Sequence, residues 1–146
     1  MAINTQKVLL GGVVAGVVLN VIDFVASKYV LGARMIAEMN AFKPGFADAM
    51  TQGNGLYIGM GLGFVLGIAL VWTYAAIRPR FGPGARTSAY AAILLWVVLD
   101  IAYYQFMLLG MESSGLWWTY AFIGLVNLLI SGAVGAWLYS EGAAAA

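Results

Sequence analysis

Seven polar side chains lie inside long apolar stretches of this chain, and they are the residues that could do chemistry. They are Asn20, Asp23, Asp100, Tyr103, Tyr104, Asn127 and Ser131. Their carboxyl, carboxamide and hydroxyl oxygens suit protons, sodium or magnesium rather than transition metals. In a functional site, Asp23 and Asp100 would hold a proton or cation. The two asparagines would then be neutral ligands, and a tyrosine would act as a relay.

The depth of these residues in their segments favours a shared site. Asn20 and Asp100 each lie about 20 Å from the basic end of an apolar segment, at 1.5 Å per residue, and Asn127 lies at a similar level. An aspartate that faces lipid there costs about 2.5 to 3.5 kcal/mol, so we expect Asp23 and Asp100 to face protein or water. A structural interpretation competes with the ion site and is favoured. In it, the side chains join helices by hydrogen bonds worth about 1 kcal/mol per contact.

The segments that carry these residues are apolar enough to cross a membrane. Hydrophobic residues form 63% of the chain and charged residues 9%, which is typical of a protein solvated mostly by lipid. A spanning helix needs about 20 apolar residues. Four segments qualify, at residues 8–31, 56–77, 88–110 and 116–139. The sequence therefore predicts an all-α integral membrane protein, a single domain over residues 1–146 that forms a bundle of four transmembrane helices.

Basic residues predict how the bundle is oriented. Arg78, Arg80 and Arg86 lie among prolines and glycines between the second and third spans. This pattern predicts a tight cytoplasmic turn over residues 78–86, which would put both termini in the cytoplasm, with a prokaryotic inner membrane as the location. On the other side, residues 33–54 form a predicted outer loop. Its apolar residues at helical spacing predict a short helix along the membrane interface.

A ridge of glycines at every fourth residue runs along the second predicted span. It consists of Gly55, Gly59, Gly63 and Gly67, with an echo of the spacing in the first span at Gly12 and Gly16. In lipid, this spacing allows a second helix to approach closely. The approaching helix belongs either to the same bundle or to another subunit.

A faint internal repeat suggests two duplicated helical hairpins. Residues 17–20 (VVLN) resemble residues 97–100 (VVLD), and residues 55–57 (GLY) resemble residues 115–117 (GLW). Short valine and leucine strings recur by chance in membrane helices, so the sequence leaves this duplication open.

Composition also narrows the function. The chain has no cysteine and no histidine, which excludes thiolate chemistry, histidine-ligated metals and imidazole bases. No nucleophile motif or phosphate loop is present, so we expect neither an enzyme nor a bound cofactor or metal. The favoured interpretation is a non-catalytic membrane subunit or scaffold. It would pack through its glycine faces into a larger homo- or hetero-oligomer, with lipid and membrane helices as partners and no nucleic acid. The alternative is a small proton- or cation-conducting transporter that uses the polar residues.

Overall fold

The computed structural model describes residues 3–51 and 54–139 of the chain. Four of its helices are long and apolar enough to cross a membrane, which confirms the predicted all-α membrane bundle. In the described residues there is no strand. The helices are α1 (Thr5–Ala26), α2 (Gly32–Phe42), α3 (Phe46–Thr51), α4 (Gly55–Phe81), α5 (Ala85–Leu108) and α6 (Ser114–Leu138).

The first helix is longer than the sequence predicts. α1 passes through a π-helical turn at Ser27–Leu31 into α2, so that Thr5–Phe42 is one helix of 38 residues. The N–H of Gly32 donates to the carbonyl of Ser27, five residues earlier, which is the hydrogen bond of a π turn. No proline interrupts this stretch before residue 44, and the single glycine that follows the turn, Gly32, does not break the helix.

The predicted outer loop at residues 33–54 is therefore mostly helical. It contains α2 and α3, while residues 52 and 53 lie outside the described part of the chain. The short helix predicted there is present as α2. It continues α1 directly instead of following a loop.

The basic turn between the second and third spans is also shorter than predicted. α4 continues to Phe81 and contains Pro79, so Arg78 and Arg80 belong to its last turn, and α5 already includes Arg86. Membrane helices tolerate an internal proline when the freed backbone groups find other partners. The chain reverses at Gly82 and Gly84, whose positive φ angles of 83° and 114° suit glycine.

α4 and α6 form the centre of the bundle, and α1 and α5 lie on opposite sides of this pair. α1 packs against both central helices, as does α5, whereas α1 and α5 barely meet. The core consists mostly of small and aliphatic side chains on all four helices, among them Ala15, Leu19, Leu70, Val71, Ala91, Ala92 and Leu128. Groups on α1 and α5 can therefore be connected only through the central helices. The bundle has an α4–α5 end, where the turn between α4 and α5 lies, and an α5–α6 end, where the turn between α5 and α6 lies.

Candidate functional site

Three of the predicted polar residues form a hydrogen-bonded cluster between α1 and α6. Asn127 is only 2% exposed and donates from Nδ2 to the Leu19 carbonyl at 3.1 Å and to Oδ1 of Asp23 at 2.7 Å. One turn further along α6, the buried Ser131 hydroxyl donates to Oδ1 of Asn127 at 3.1 Å. Both ends of the carboxamide are thereby bonded, and α6 is tied to the backbone and a side chain of α1.

The cluster is open to the surroundings at Asp23. This side chain is exposed, whereas Asn127 and Ser131 are buried. We expected Asp23 to face protein or water; in the structure it contacts Asn127 on one side and is otherwise uncovered by the bundle. The reason is geometric: α1 lies at the edge of the bundle, so a side chain that reaches toward α6 from its flank stays partly uncovered.

Asn20 does not join this cluster, because it points toward α4 instead of α6. Its Nδ2 donates to the carbonyl of Gly16 at 2.8 Å and to the carbonyl of Met60 at 3.2 Å. Gly63 makes room for it, since a Cβ there would lie 2.7 Å from the same nitrogen. Residues 58–72 of α4 have no polar side chain that could bond to Asn20. The structure shows that a backbone carbonyl of α4 serves instead.

Asp100 is also separate, which corrects the prediction of one site with two aspartates. It is half-buried on α5, and none of the described residues forms a hydrogen bond or an ion pair with it. Residue counts predict how deep Asp100 lies in the membrane. They do not predict on which side of the bundle its helix packs. Since α1 and α5 lie on opposite sides of the central pair, Asp23 and Asp100 do not meet.

Tyr103 and Tyr104 pack against α6 through their rings, on two different partners. The ring of Tyr103 lies 5.8 Å from that of Tyr120, and the ring of Tyr104 lies 5.3 Å from that of Trp117, both edge to face. Within the described chain, neither hydroxyl is hydrogen-bonded to an aspartate. The predicted relay between the aspartates is therefore not formed.

The α4 glycine ridge packs against α1 along half of its length. A Cβ on Gly67 would lie 2.5 Å from the Gly12 carbonyl oxygen and 2.5 Å from the Gly16 nitrogen, so the two backbones are in direct contact. Gly12 and Gly16, the echo of the ridge in α1, are the residues that receive it. A close approach that the sequence did not reveal joins α1 to α6, where a Cβ on Gly11 would lie 2.6 Å from the Gly135 carbonyl oxygen.

The other half of the ridge is open. Gly55 is exposed, and a Cβ on Gly59 or on its neighbour Gly61 would meet no atom of the described chain within 4 Å. The apolar side chains around these glycines are exposed as well, including Leu56, Tyr57, Ile58 and Leu62. On this open half-ridge, residues 55–62 of α4, the described chain leaves Gly59 and Gly61 uncovered, and Asn20 reaches only the Met60 carbonyl at its inner end.

A polar clamp at the α5–α6 end was not predicted. Arg34 on α2 donates to Oε1 of Glu38 and to the Ser113 hydroxyl, both at 3.0 Å. The Ser113 N–H donates to Oε2 of Glu38 at 2.7 Å, and its hydroxyl accepts from the N–H of Leu116 as the N-cap of α6. A serine before an apolar run is a recognisable capping signal in a sequence. Its partners were hidden because residues 33–54 were predicted to be a loop.

Beside the clamp, Glu112 lies in the turn between α5 and α6. Burial raises the pKa of its carboxyl above the ordinary value of 4.5, and the nearby Glu38 carboxylate raises the pKa further. The Tyr103 hydroxyl, which donates to it, opposes both effects. One of its carboxyl oxygens is buried without a hydrogen-bond partner among the described residues. Folding therefore makes this side chain harder to ionise than it is in the unfolded chain.

The polar residues described above form hydrogen bonds that join one helix to another. The arrangement contains hydrogen-bond donors, acceptors and single carboxyls, and nothing in it resembles a nucleophile activated by a base. Among residues 3–51 and 54–139, no three acidic, histidine or cysteine side chains are grouped as metal ligands would be. No protein-family model, curated protein or solved structure matches the chain.

Proposed function

We propose that this protein is a non-catalytic subunit of a membrane assembly and that the open half-ridge of α4 is its docking surface. The observation that carries the proposal is the contrast within one ridge. Gly67 is in backbone contact with α1, whereas Gly59 and Gly61 face empty space. The same spacing of small residues thus packs against α1 at one end of the ridge and contacts no helix of the described chain at the other.

The first partner that we propose is a second copy of the chain. In lipid, glycine ridges associate because their backbones can approach closely, and two copies of one ridge can pair about a twofold axis. The contact of α4 with Gly12 and Gly16 is an example of such pairing inside the molecule. The large apolar side chains beside the open glycines would pack around the crossing point. A different membrane subunit is the other outcome to be tested.

Two leucine substitutions distinguish the two halves of the ridge. Gly59→Leu is expected to leave the monomer folded, because its side chain meets nothing within the chain, and to abolish the oligomer. Gly67→Leu is expected to destabilise the monomer itself by about 1 to 3 kcal/mol or more, because overpacking displaces two helix backbones. Native mass spectrometry after extraction in mild detergent reads the stoichiometry, and thermal unfolding reads the stability.

Val98→Leu is the matched control, since it adds bulk at an exposed position of α5. It should change neither measurement. A wild-type protein that is monomeric and co-purifies with no other chain would contradict the proposal. So would a Gly59→Leu variant that keeps the wild-type stoichiometry. The wild-type protein could instead form a complex of fixed stoichiometry with another membrane protein, and Gly59→Leu could abolish it. That result would support the docking surface and identify a different subunit, not a second copy, as the partner.

The alternative function, proton or cation transport, has one observation in its favour. Asp23 accepts a hydrogen bond from the buried Asn127, so a carboxyl on the uncovered flank of α1 is held in place by a fixed carboxamide. Its separation from Asp100 weakens this function, because one carboxyl is left on each side of the central helices. Proton or sodium flux into liposomes that is unchanged by Asp23→Asn would exclude Asp23 from transport.

We also propose the orientation. Arg78, Arg80 and Arg86 all lie at the α4–α5 end, where the described acidic side chains are absent. By the positive-inside rule, this end and both termini would be cytoplasmic, and in a prokaryote the membrane would be the inner membrane.

A further inference from the structure

We propose that the groove between α5 and α6 around Asp100 binds a lipophilic organic cation, meaning an ammonium or phosphonium ion with apolar substituents. The groove is an open cleft with a volume of about 280 Å³. It is lined by Trp96, Val97, Asp100, Ile101, Tyr104 and Trp117. The proposal concerns a ligand site on a different face from the open half-ridge and does not depend on the oligomer.

The walls of this cavity suit a cation. Three of its six lining residues are Trp96, Tyr104 and Trp117, whose ring faces attract positive charge, and tryptophan does so most strongly. The rings are held in place: the Trp96 indole donates to the Ala121 carbonyl at 2.8 Å, and Tyr104 packs edge to face on Trp117. An aromatic site with fixed walls loses little freedom when a ligand enters it.

Asp100 supplies the charge that distinguishes a cation from a neutral apolar ligand. The only ion pair within residues 3–51 and 54–139 joins Arg34 to Glu38, so no protein cation neutralises Asp100. The ionised Asp100 carboxylate attracts a ligand cation strongly, because the surroundings are apolar and the effective dielectric constant is low, and a bound cation in turn favours the ionised form. Val97 and Ile101 would contact the apolar substituents of the ligand.

The position of the site selects ligands that dissolve in lipid. Asp100 lies eight residues before the end of α5 at Leu108, about 12 Å at 1.5 Å per residue. None of the cavity-lining residues belongs to α1 or α4, so the groove is formed by the outer face of one hairpin. A hydrated inorganic cation would have to leave water to reach it, whereas an amine with apolar substituents would partition to that depth.

Binding of radiolabelled tetraphenylphosphonium to the purified protein tests this proposal. Equilibrium dialysis in mild detergent, with protein-free micelles as the blank, should show saturable binding to the wild-type protein. Asp100→Asn should weaken the affinity by about tenfold or more, because it removes the charge and keeps the shape. Trp117→Leu, which removes one aromatic wall, should also weaken it. Neutral triphenylphosphine oxide, which has similar phenyl groups, should not bind saturably.

Asp48→Asn is the matched control, because it removes the same charge from an exposed position on α3. It should bind as the wild-type protein does. Absence of saturable binding to the wild-type protein would overturn the proposal. Equal affinity of the wild-type and Asp100→Asn proteins for the cation would also overturn it. So would a loss of affinity in Asp48→Asn as large as the loss in Asp100→Asn. Circular dichroism and monodisperse elution establish that each variant is folded, and Asp100→Asn should pass, since Asp100 forms no hydrogen bond in the described chain.

Discussion

At the scale of single residues, the polar side chains are divided among separate tasks. Asn127 is bonded at both ends of its carboxamide and joins α6 to α1, while Asn20 joins α1 to a backbone carbonyl of α4. Such contacts stabilise membrane helix pairs by about 1 kcal/mol each. Asp100 has no partner in the described chain and is therefore the residue most available to a ligand.

Glu112 gives a prediction about pH. Its pKa is raised in the folded protein, chiefly by burial, so its contribution to stability is fully present below about pH 4.5 and is lost as the pH rises through the folded-state pKa. Glu112→Gln cannot ionise. It should therefore be more stable than the wild-type protein at neutral pH, and the difference should close as the pH falls below 4.5.

Thermal unfolding in detergent between pH 4 and pH 8, as an approximate working range, provides the measurement. Asp48→Asn, an exposed acid on α3, controls for the change in net charge. A variant whose stability follows the wild-type curve at every pH would show that ionisation of Glu112 does not oppose folding.

Part of the candidate site was predictable from the sequence. Asn127 and Ser131 are four residues apart, so helical spacing places them on one face, and the structure finds them hydrogen-bonded. Asp100 was assigned to the same site because it lies at a similar depth. Which helix faces which neighbour depends on packing across the whole bundle, and one chain's pattern of apolar residues does not encode that order.

At the scale of elements, the π turn sets the direction in which α2 faces. An extra residue in a helical turn rotates everything after it, and here it brings Arg34 against Ser113 and Met35 against the Tyr120 hydroxyl, at 3.0 and 2.6 Å. The ends of the helices were predicted to within a few residues except here. Gly32 closes the turn, where a Cβ would collide with the Ser27 carbonyl oxygen. A single glycine inside a sequence pattern that favours helix does not by itself reveal the change in phase.

Deleting Val30 from the π turn tests this role. Removal of one residue should restore regular helix and rotate α2 by about 100°, which would carry Arg34 and Met35 away from α6. Because the chain has no native cysteine, crosslinking gives a clean readout. A short thiol-reactive bridge should join cysteines introduced at Met35 and Tyr120 in the full-length protein and fail to join them in the deletion.

Val30→Ala in the same double-cysteine protein is the control, since it keeps the chain length and changes only an exposed side chain. It should crosslink like the parent. Efficient crosslinking in the deletion would mean that the direction of α2 is set by its contacts with α6 and not by the turn.

At the scale of the whole molecule, two central helices with one neighbour on either side make a bundle of antiparallel hairpins. This class of fold was predictable because length and hydropathy alone determine how many segments can cross a membrane. The duplication of the two hairpins stays a prediction. So does the orientation in the membrane, which depends on loop charge and not on packing.

Labelling of single cysteines tests the orientation. Pro83→Cys lies in the turn between α4 and α5, and Ser114→Cys lies at the start of α6, both at exposed positions. A membrane-impermeant maleimide should label Ser114→Cys in intact cells, and Pro83→Cys only after the membrane is opened. The reverse pattern would place the basic end outside.

The half-used ridge of α4 also limits the shape of any assembly. Its occupied glycines lie toward one end of the helix and its vacant ones toward the other. A helix that docked on the vacant part would touch this chain within a single leaflet and diverge from it in the other. The resulting complex would be wedge-shaped. Lipids that change the lateral pressure in the leaflet where the helices touch would alter the stability of the complex more than the same lipids in the other leaflet.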